Sequence, residues 1–146
     1  MAKENLTGED ETQKAALGEY RLIDGTGYMY VQASVAITAY QACTVANDGT
    51  IGQASDGGTY PLNAVLRNVV IPQFAMTADY YGWALAGPFH LDWKGNSFKV
   101  DAAASCALDV VLYTSATAGR VDDASASQTQ IQGLLLTATV GGGLRS

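Results

Sequence analysis

The chain has 146 residues, of which 48% are hydrophobic and 15% are charged, and its formal net charge is −6 at pH 7. Its eight basic residues form no cluster, which argues against binding to nucleic acid or to an anionic membrane surface, because both need concentrated positive charge. No apolar run approaches the roughly 18 residues of a transmembrane helix. We therefore expect one globular domain that has neither nucleic acid nor a membrane as its partner.

Residues 1–17 form the most charged segment and contain no aromatic residue. Residues 13–17 are compatible with a short helix that ends before Gly18, but such a helix is marginal in water on its own. We predict an N-terminal arm, either extended or a short helix, that becomes ordered against a neighbouring chain, and the alternative is a frayed terminus. The first residues lack the apolar region of a secretory signal, so we expect synthesis and maturation in a cytoplasm.

From Glu19 onward the sequence changes to short runs of aromatic and β-branched residues, which are typical of strands. In the first half these predicted strands cover residues 20–23, 28–38, 41–45 and 50–53. Turn signals separate them at Asp24-Gly25 and at Asn47-Asp48-Gly49. In the second half the predicted strands lie within residues 63–71, 80–86, 107–113, 120–121 and 130–140.

This spacing of strands and turns predicts an all-β fold, namely a small antiparallel β-sandwich or barrel of about 8–10 short strands. We assign the β domain to residues 18–140. The run Gly141-Gly142-Gly143 favours no regular structure, so residues 141–146 are predicted to be a flexible tail.

Aromatic residues concentrate between residues 80 and 113, where both tryptophans, two of the three phenylalanines and three of the eight tyrosines lie. Aromatic side chains bury large areas, so this stretch is the predicted centre of the core. Phe89, Leu91 and Trp93 alternate with polar residues, as on a half-buried strand. Residues 93–98 are the best candidate for a hairpin, because Gly95 and Asn96 tolerate positive φ angles.

No group of residues in the sequence has the pattern of a catalytic or metal site. The only histidine, His90, shares a strand face with Asp92, but two ligands are too few for a closed zinc site, and no Gly-x-Ser-x-Gly motif presents a nucleophile. The aspartates in turns lack the spacing of a calcium loop. We predict no catalytic residue, no metal and no cofactor, and hence a protein that is not an enzyme. Cys43 and Cys106 are expected to be buried thiols, with a disulfide as the alternative.

Four short passages in the second half resemble small head proteins of tailed bacteriophages, the capsid decoration or cement proteins. They are residues 82–88 (GWALAGP), 107–113 (ALDVVLY), 116–121 (ATAGRV) and 131–133 (IQG). The resemblance implies a β-rich structural protein of the virion that is made in the host cytoplasm and binds the outer surface of the expanded capsid. Its implied partners are the major capsid protein and copies of itself, in a homotrimer.

Composition suggests which residues would serve that function. The capsid-docking candidates lie in the arm and are Leu6, Glu9, Asp10, Glu11 and Leu17. The candidates for packing between subunits are Tyr28, Tyr30, Phe89, Leu91 and Trp93.

Two other functions fit the same sequence. A capsid-surface or fibre-type adhesin would bind host glycan through exposed aromatic side chains, for which the candidates are Tyr80, Tyr81, Trp83 and Trp93. A minor tail or connector protein would differ from a decoration protein in its copy number per particle.

Overall fold

The fold was analysed in a computed structural model, which describes residues 5–23, 25–54, 65–66, 69–86, 98–103, 106–107, 110–123, 130–131 and 143–145. These residues form no helix, so the all-β prediction is confirmed. Their twelve strands are Tyr20–Ile23 (β1), Thr26–Ala33 (β2), Cys43–Val45 (β3), Thr50–Gln53 (β4), Val65–Leu66 (β5), Val69–Ile71 (β6), Tyr81–Ala86 (β7), Val100–Ala102 (β8), Leu112–Thr114 (β9), Val121–Asp122 (β10), Gln130–Ile131 (β11) and Gly143–Arg145 (β12).

Five strands close into a small barrel in the order β2-β4-β3-β6-β7, because β7 also pairs with β2. The β2–β7 ladder is antiparallel and runs from Gly27 opposite Ala86 to Gln32 opposite Tyr81. The remaining pairs are antiparallel except β2–β4, which is parallel. Strand β1 pairs with the first half of β2, and β4 pairs with the end of β2 on the same side. Closure leaves the five barrel strands paired on both sides.

The second sheet has the order β12-β8-β10-β9-β11-β5 and is also mixed, since β10–β8 and β11–β5 are parallel pairs. The sequence pattern predicted antiparallel pairing. The spacing of strands along the chain does not show which pairs are parallel, and three of them are: β2–β4, β8–β10 and β5–β11. The tail prediction also needs correction. Residues 143–145 pair with β8 in antiparallel register, because the edge of a strand offers backbone groups that a glycine-containing segment approaches easily.

Two hydrophobic clusters follow from the alternation of side chains along β2, β6 and β7. The inner cluster draws on all five barrel strands and fills the barrel; its members are Val31, Ala33, Ile37, Cys43, Ile51, Val70, Phe74, Met76, Ala84 and Ala86. The outer cluster joins the outside of the barrel to the second sheet. It consists of Tyr28, Tyr30, Ala42, Ala54, Val69, Ile71, Trp83, Leu85, Val100, Ala102, Cys106, Leu112, Val121 and Ile131.

A ring of three backbone hydrogen bonds connects the barrel to the second half of the chain. The amide of Ala42 donates to the carbonyl of Gly119 at 2.8 Å, Gly119 donates to Ala54 at 2.8 Å, and Ala54 donates to Ala42 at 2.9 Å. Gly119 has a φ of +80°, and a Cβ atom there would lie 2.7 Å from the Cβ of Gln41. Glycine is therefore required at this junction both by its conformation and by the space available.

Gly82 provides a test of packing inside the barrel. A Cβ atom at Gly82 would lie 2.7 Å from Cζ of Phe74, whose side chain is buried in the inner cluster. We expect Gly82→Ala to lower the free energy of unfolding by about 1–3 kcal/mol, because overpacking displaces buried side chains. Denaturant titration followed by tryptophan fluorescence measures this change.

Gly52→Ala in β4 is the matched control, since its added Cβ would lie at an ordinary 3.5 Å from Oγ of Ser34. An equal loss of stability in both variants would contradict the packing explanation.

Candidate interaction surface

Residues 5–17, here called the N-terminal strap, lie across the outer face of the barrel. The strap contains no helix. Asp10 forms an antiparallel bridge with Tyr81 of β7, in which the Asp10 amide donates to the Tyr81 carbonyl at 2.7 Å and the Tyr81 amide donates back at 2.9 Å. The strap thus adds a short pairing contact at the start of β7.

Glu9 binds Thr77, which precedes β7. Its carboxylate accepts a hydrogen bond from the Thr77 amide at 2.5 Å and another from the Thr77 hydroxyl at 2.9 Å. Such bonds to an ionised acceptor are stronger than neutral ones. Glu9 therefore joins the strap to a segment that is 68 positions away in the sequence.

Tyr30 of β2 connects the strap to the core. Its hydroxyl donates to Oδ2 of Asp10 at 3.1 Å and accepts from the amide of Lys14 at 2.9 Å. Its ring lies parallel to that of Tyr81 at a centroid distance of 6.3 Å, and tilted against that of Trp83 at 5.1 Å. We call these three side chains the aromatic face. The Arg21 guanidinium lies 5.0 Å above the Trp83 ring, in cation–π geometry.

Apolar strap residues complete this contact. Leu6, Ala15 and Leu17 pack against the outer cluster. A Cβ atom on Gly49 would come within 2.6 Å of the Cβ of Leu17, so Leu17 lies directly against the β3–β4 turn.

The capsid-docking candidates differ in their exposure to solvent. Leu6 and Leu17 pack inward, while Glu9 and Asp10 accept hydrogen bonds from this same chain. Glu11 is exposed. Of the five candidates, Glu11 thus has its side chain turned to solvent, and docking through the strap remains a prediction.

The inter-subunit candidates divide into two groups. Tyr28 is 9% exposed and Tyr30 is fully buried, both in the core of this chain. Within one copy the strap and the outer cluster cover both side chains, and their packing between subunits stays a prediction. Phe89, Leu91 and Trp93 lie outside the described residues, as do His90 and most of the predicted hairpin.

The structure exposes two residues that sequence analysis did not single out. Tyr20 and Leu22 of β1 are 44% and 65% exposed, whereas Arg21 and Ile23 on the other face are half-buried. The alternation itself was visible in the sequence. Which face points outward depends on the pairing of β1 with β2, which the sequence does not show.

Trp83 is 3% exposed, so it is not available to stack on a sugar ring. Tyr80 and Tyr81 are half-buried, and Trp93 lies outside the described residues. The aromatic face is therefore a packing surface for the strap.

Both cysteines are free and buried, which agrees with the prediction of buried thiols. Burial raises the pKa of Cys43 to about 12 and also raises the pKa of Cys106. Cys106, Asp122 and Asp123 bring their side-chain donor atoms within 4.8 Å of one another. The carboxylates accept backbone hydrogen bonds, from Asp123 to Asp122 at 2.8 Å and from Ala107 to Asp123 at 2.9 Å. These bonds thus link residues 106–107 to the end of β10.

Comparison with known proteins adds no relative. A scan of protein-family models, a search of curated proteins and a search of solved structures each gave no match to this chain. In the described part of the chain, no helix has the length and apolar character needed to cross a membrane.

The Tyr30 hydroxyl makes the stability of the strap contact depend on pH. Burial is the main reason that the pKa of Tyr30 is raised from 10.0 to about 12, and the hydrogen bond to Asp10 acts in the same direction. Since the pKa is higher in the folded state, this contribution to stability is complete below pH 10 and is lost as the pH rises through about 12. Cys43 contributes in the same alkaline range.

We therefore expect Tyr30→Phe to lower stability at neutral pH by about 1–3 kcal/mol, because it removes two hydrogen bonds, and to flatten the alkaline loss. Amide hydrogen exchange at Asp10 and Tyr81 should accelerate. Tyr113→Phe in the second sheet serves as the control, and an unchanged alkaline slope in Tyr30→Phe would contradict the assignment.

Buried protonated thiols react slowly, because the thiolate is the nucleophile. We expect a disulfide reagent at pH 8 to leave folded Cys43 and Cys106 unmodified and to modify both after unfolding in denaturant. Absorbance of the released thiolate measures the number of reacted groups. Rapid reaction of either cysteine in the folded protein would show that its surroundings open.

Proposed function

We propose that this protein binds the outer surface of a tailed-bacteriophage capsid and stabilises the expanded lattice as a decoration protein, acting as a homotrimer. The resemblance of residues 82–88, 107–113, 116–121 and 131–133 to such proteins is the starting point. The acidic charge and the all-β fold are compatible with it.

The observation that carries the proposal is the pair of exposed apolar side chains on β1. Tyr20 and Leu22 project from a strand that follows directly after the strap, and Glu11 is exposed on the strap itself. We assign capsid contact to Tyr20 and Leu22 of β1 and, separately, to Glu11 of the strap, because all three side chains are exposed to solvent.

Each copy would contribute a small contact of this kind. In a trimer the contacts act together, since binding of one copy raises the effective concentration of the other two at their sites. A protein that binds the assembled lattice and not its dissociated subunits stabilises the lattice by mass action. No chemical transformation is needed for this function.

The test uses purified expanded capsids that lack the protein. We expect the protein to co-sediment with them, to reach hundreds of copies per particle and to raise the temperature at which the shell opens. Saturation at about a dozen copies would favour a minor tail or connector protein. Absence of co-sedimentation would overturn the proposal, and binding to a glycan array would then favour the adhesin.

Two substitutions locate the contact. We expect Leu22→Ser to weaken capsid binding about tenfold, the result of losing about 1.4 kcal/mol, with little change in unfolding because Leu22 is already 65% exposed. Val35→Ser, at a 44% exposed position outside the strands, is its control.

Glu11→Gln should also weaken binding, and Asn47→Lys in the β3–β4 turn changes the net charge by the same single unit. Equal effects of Glu11→Gln and Asn47→Lys would show that net charge, and not the strap, controls binding.

A further inference from the structure

The strap and the surface beneath it are separable parts of the molecule. Apart from local turns, its polar contacts go to distant residues, from Glu9 to Thr77 and from Asp10 to Tyr81 and Tyr30. The strap is therefore bound to the barrel as a peptide is bound by a receptor, through one short pairing contact and a few side chains.

The connection to β1 allows the strap to change direction. Gly18 has a φ of +80°, and a turn is closed by a hydrogen bond from the Glu19 amide to the Ala16 carbonyl at 3.1 Å. Among the described residues, no atom lies within 4 Å of the position of a Cβ atom on Gly18. Glycine adopts both the turned and the extended conformation at small cost. Because the Gly18 amide donates to the Tyr30 carbonyl at 2.8 Å, the hinge lies on the strap side of this bond.

Departure of the strap would expose part of the barrel surface to water, which is unfavourable. Without the strap, Tyr30, Tyr81 and Trp83 would lose their cover, and the Tyr30 hydroxyl would lose Asp10 and Lys14. The segment with the right sequence to replace a departed strap is another strap, because it repeats every contact.

We infer that the aromatic face is an exchange site that accepts residues 5–17 of a second copy of this chain. In such an exchange the strap makes the same contacts as before, and only the conformation of the hinge changes. The free-energy difference between the single copy and the oligomer is therefore small. Reciprocal exchange between two copies gives a two-fold dimer, whereas exchange in one direction around three copies gives a ring. This inference rests on the self-association included in the proposed function, and supplies its physical basis.

A disulfide between strap and barrel distinguishes exchange from closure within one copy. Asp10 and Tyr81 lie opposite each other and exchange both backbone hydrogen bonds, a pairing in which the Cα atoms are about 5.5 Å apart and a disulfide fits. The double variant Asp10→Cys, Tyr81→Cys can therefore form this bond. The protein is oxidised at the concentration at which light scattering shows an oligomer, and is then separated by mass under denaturing, non-reducing conditions. Exchange predicts covalent multimers that collapse to one chain mass on reduction.

Recovery of every oxidised chain at the mass of a single copy would overturn the inference, and so would light scattering that shows one copy at all concentrations. Glu11→Cys, Tyr81→Cys is the control, because Glu11 points to solvent and bonds formed there report random collision. A single cooperative thermal unfolding transition of the reduced double variant confirms that it is folded. The unsubstituted protein, with buried Cys43 and Cys106, controls for native thiols.

Capsid co-sedimentation is measured separately on the unsubstituted protein, so failure of the exchange and failure of capsid binding are distinguishable. If the protein binds capsids while each strap stays on its own copy, the exchange is wrong and the decoration function stands. If covalent multimers form without capsid binding, the exchange stands and the decoration function is wrong.

Discussion

The structure depends on the antiparallel ladder between β2 and β7, which extends over six residue pairs. Both faces of this ladder are buried. Val31, Ala33, Ala84 and Ala86 fill the barrel on one side, and Tyr28, Tyr30, Trp83 and Leu85 pack outward on the other. A strand buried on both faces cannot shift its register by one residue without exchanging small side chains for aromatic ones. The ladder thereby fixes the barrel, the position of β1 and the surface on which the strap lies.

Small and large residues alternate on this ladder for a physical reason. A five-stranded barrel has a narrow interior, so alanine and valine suit the inside, whereas tyrosine and tryptophan need the room outside. This outward placement creates an aromatic face whose exposure to water would be unfavourable. The strap covers this face with apolar side chains, and the carboxylate of Asp10 accepts a hydrogen bond from the Tyr30 hydroxyl. The N-terminal segment is thus part of the folded domain, and any role at a capsid has to use its outer side.

Much of the fold could be predicted from the sequence. Runs such as Tyr20–Ile23 and Thr50–Gln53 coincide with strands, and the turn at Gly49 has the expected positive φ of 85°. Pairing could not be predicted, because a strand pattern specifies which residues alternate but not which strand lies beside it. This is why the cover that the strap and the outer cluster give Tyr28 and Tyr30 could not be predicted, and why the strand at residues 143–145 was missed. The strap contacts were equally invisible, since Glu9 and Thr77 lie far apart in the chain and carry no motif.

The junction of Ala42, Ala54 and Gly119 is built from main-chain atoms alone. Substitutions at Ala42 and Ala54 that fit the available space leave these bonds in place, whereas proline at these positions, a side chain at Gly119 or a change in chain length disrupts them. The two halves of the molecule can therefore diverge in sequence over evolutionary time while staying joined in the same way.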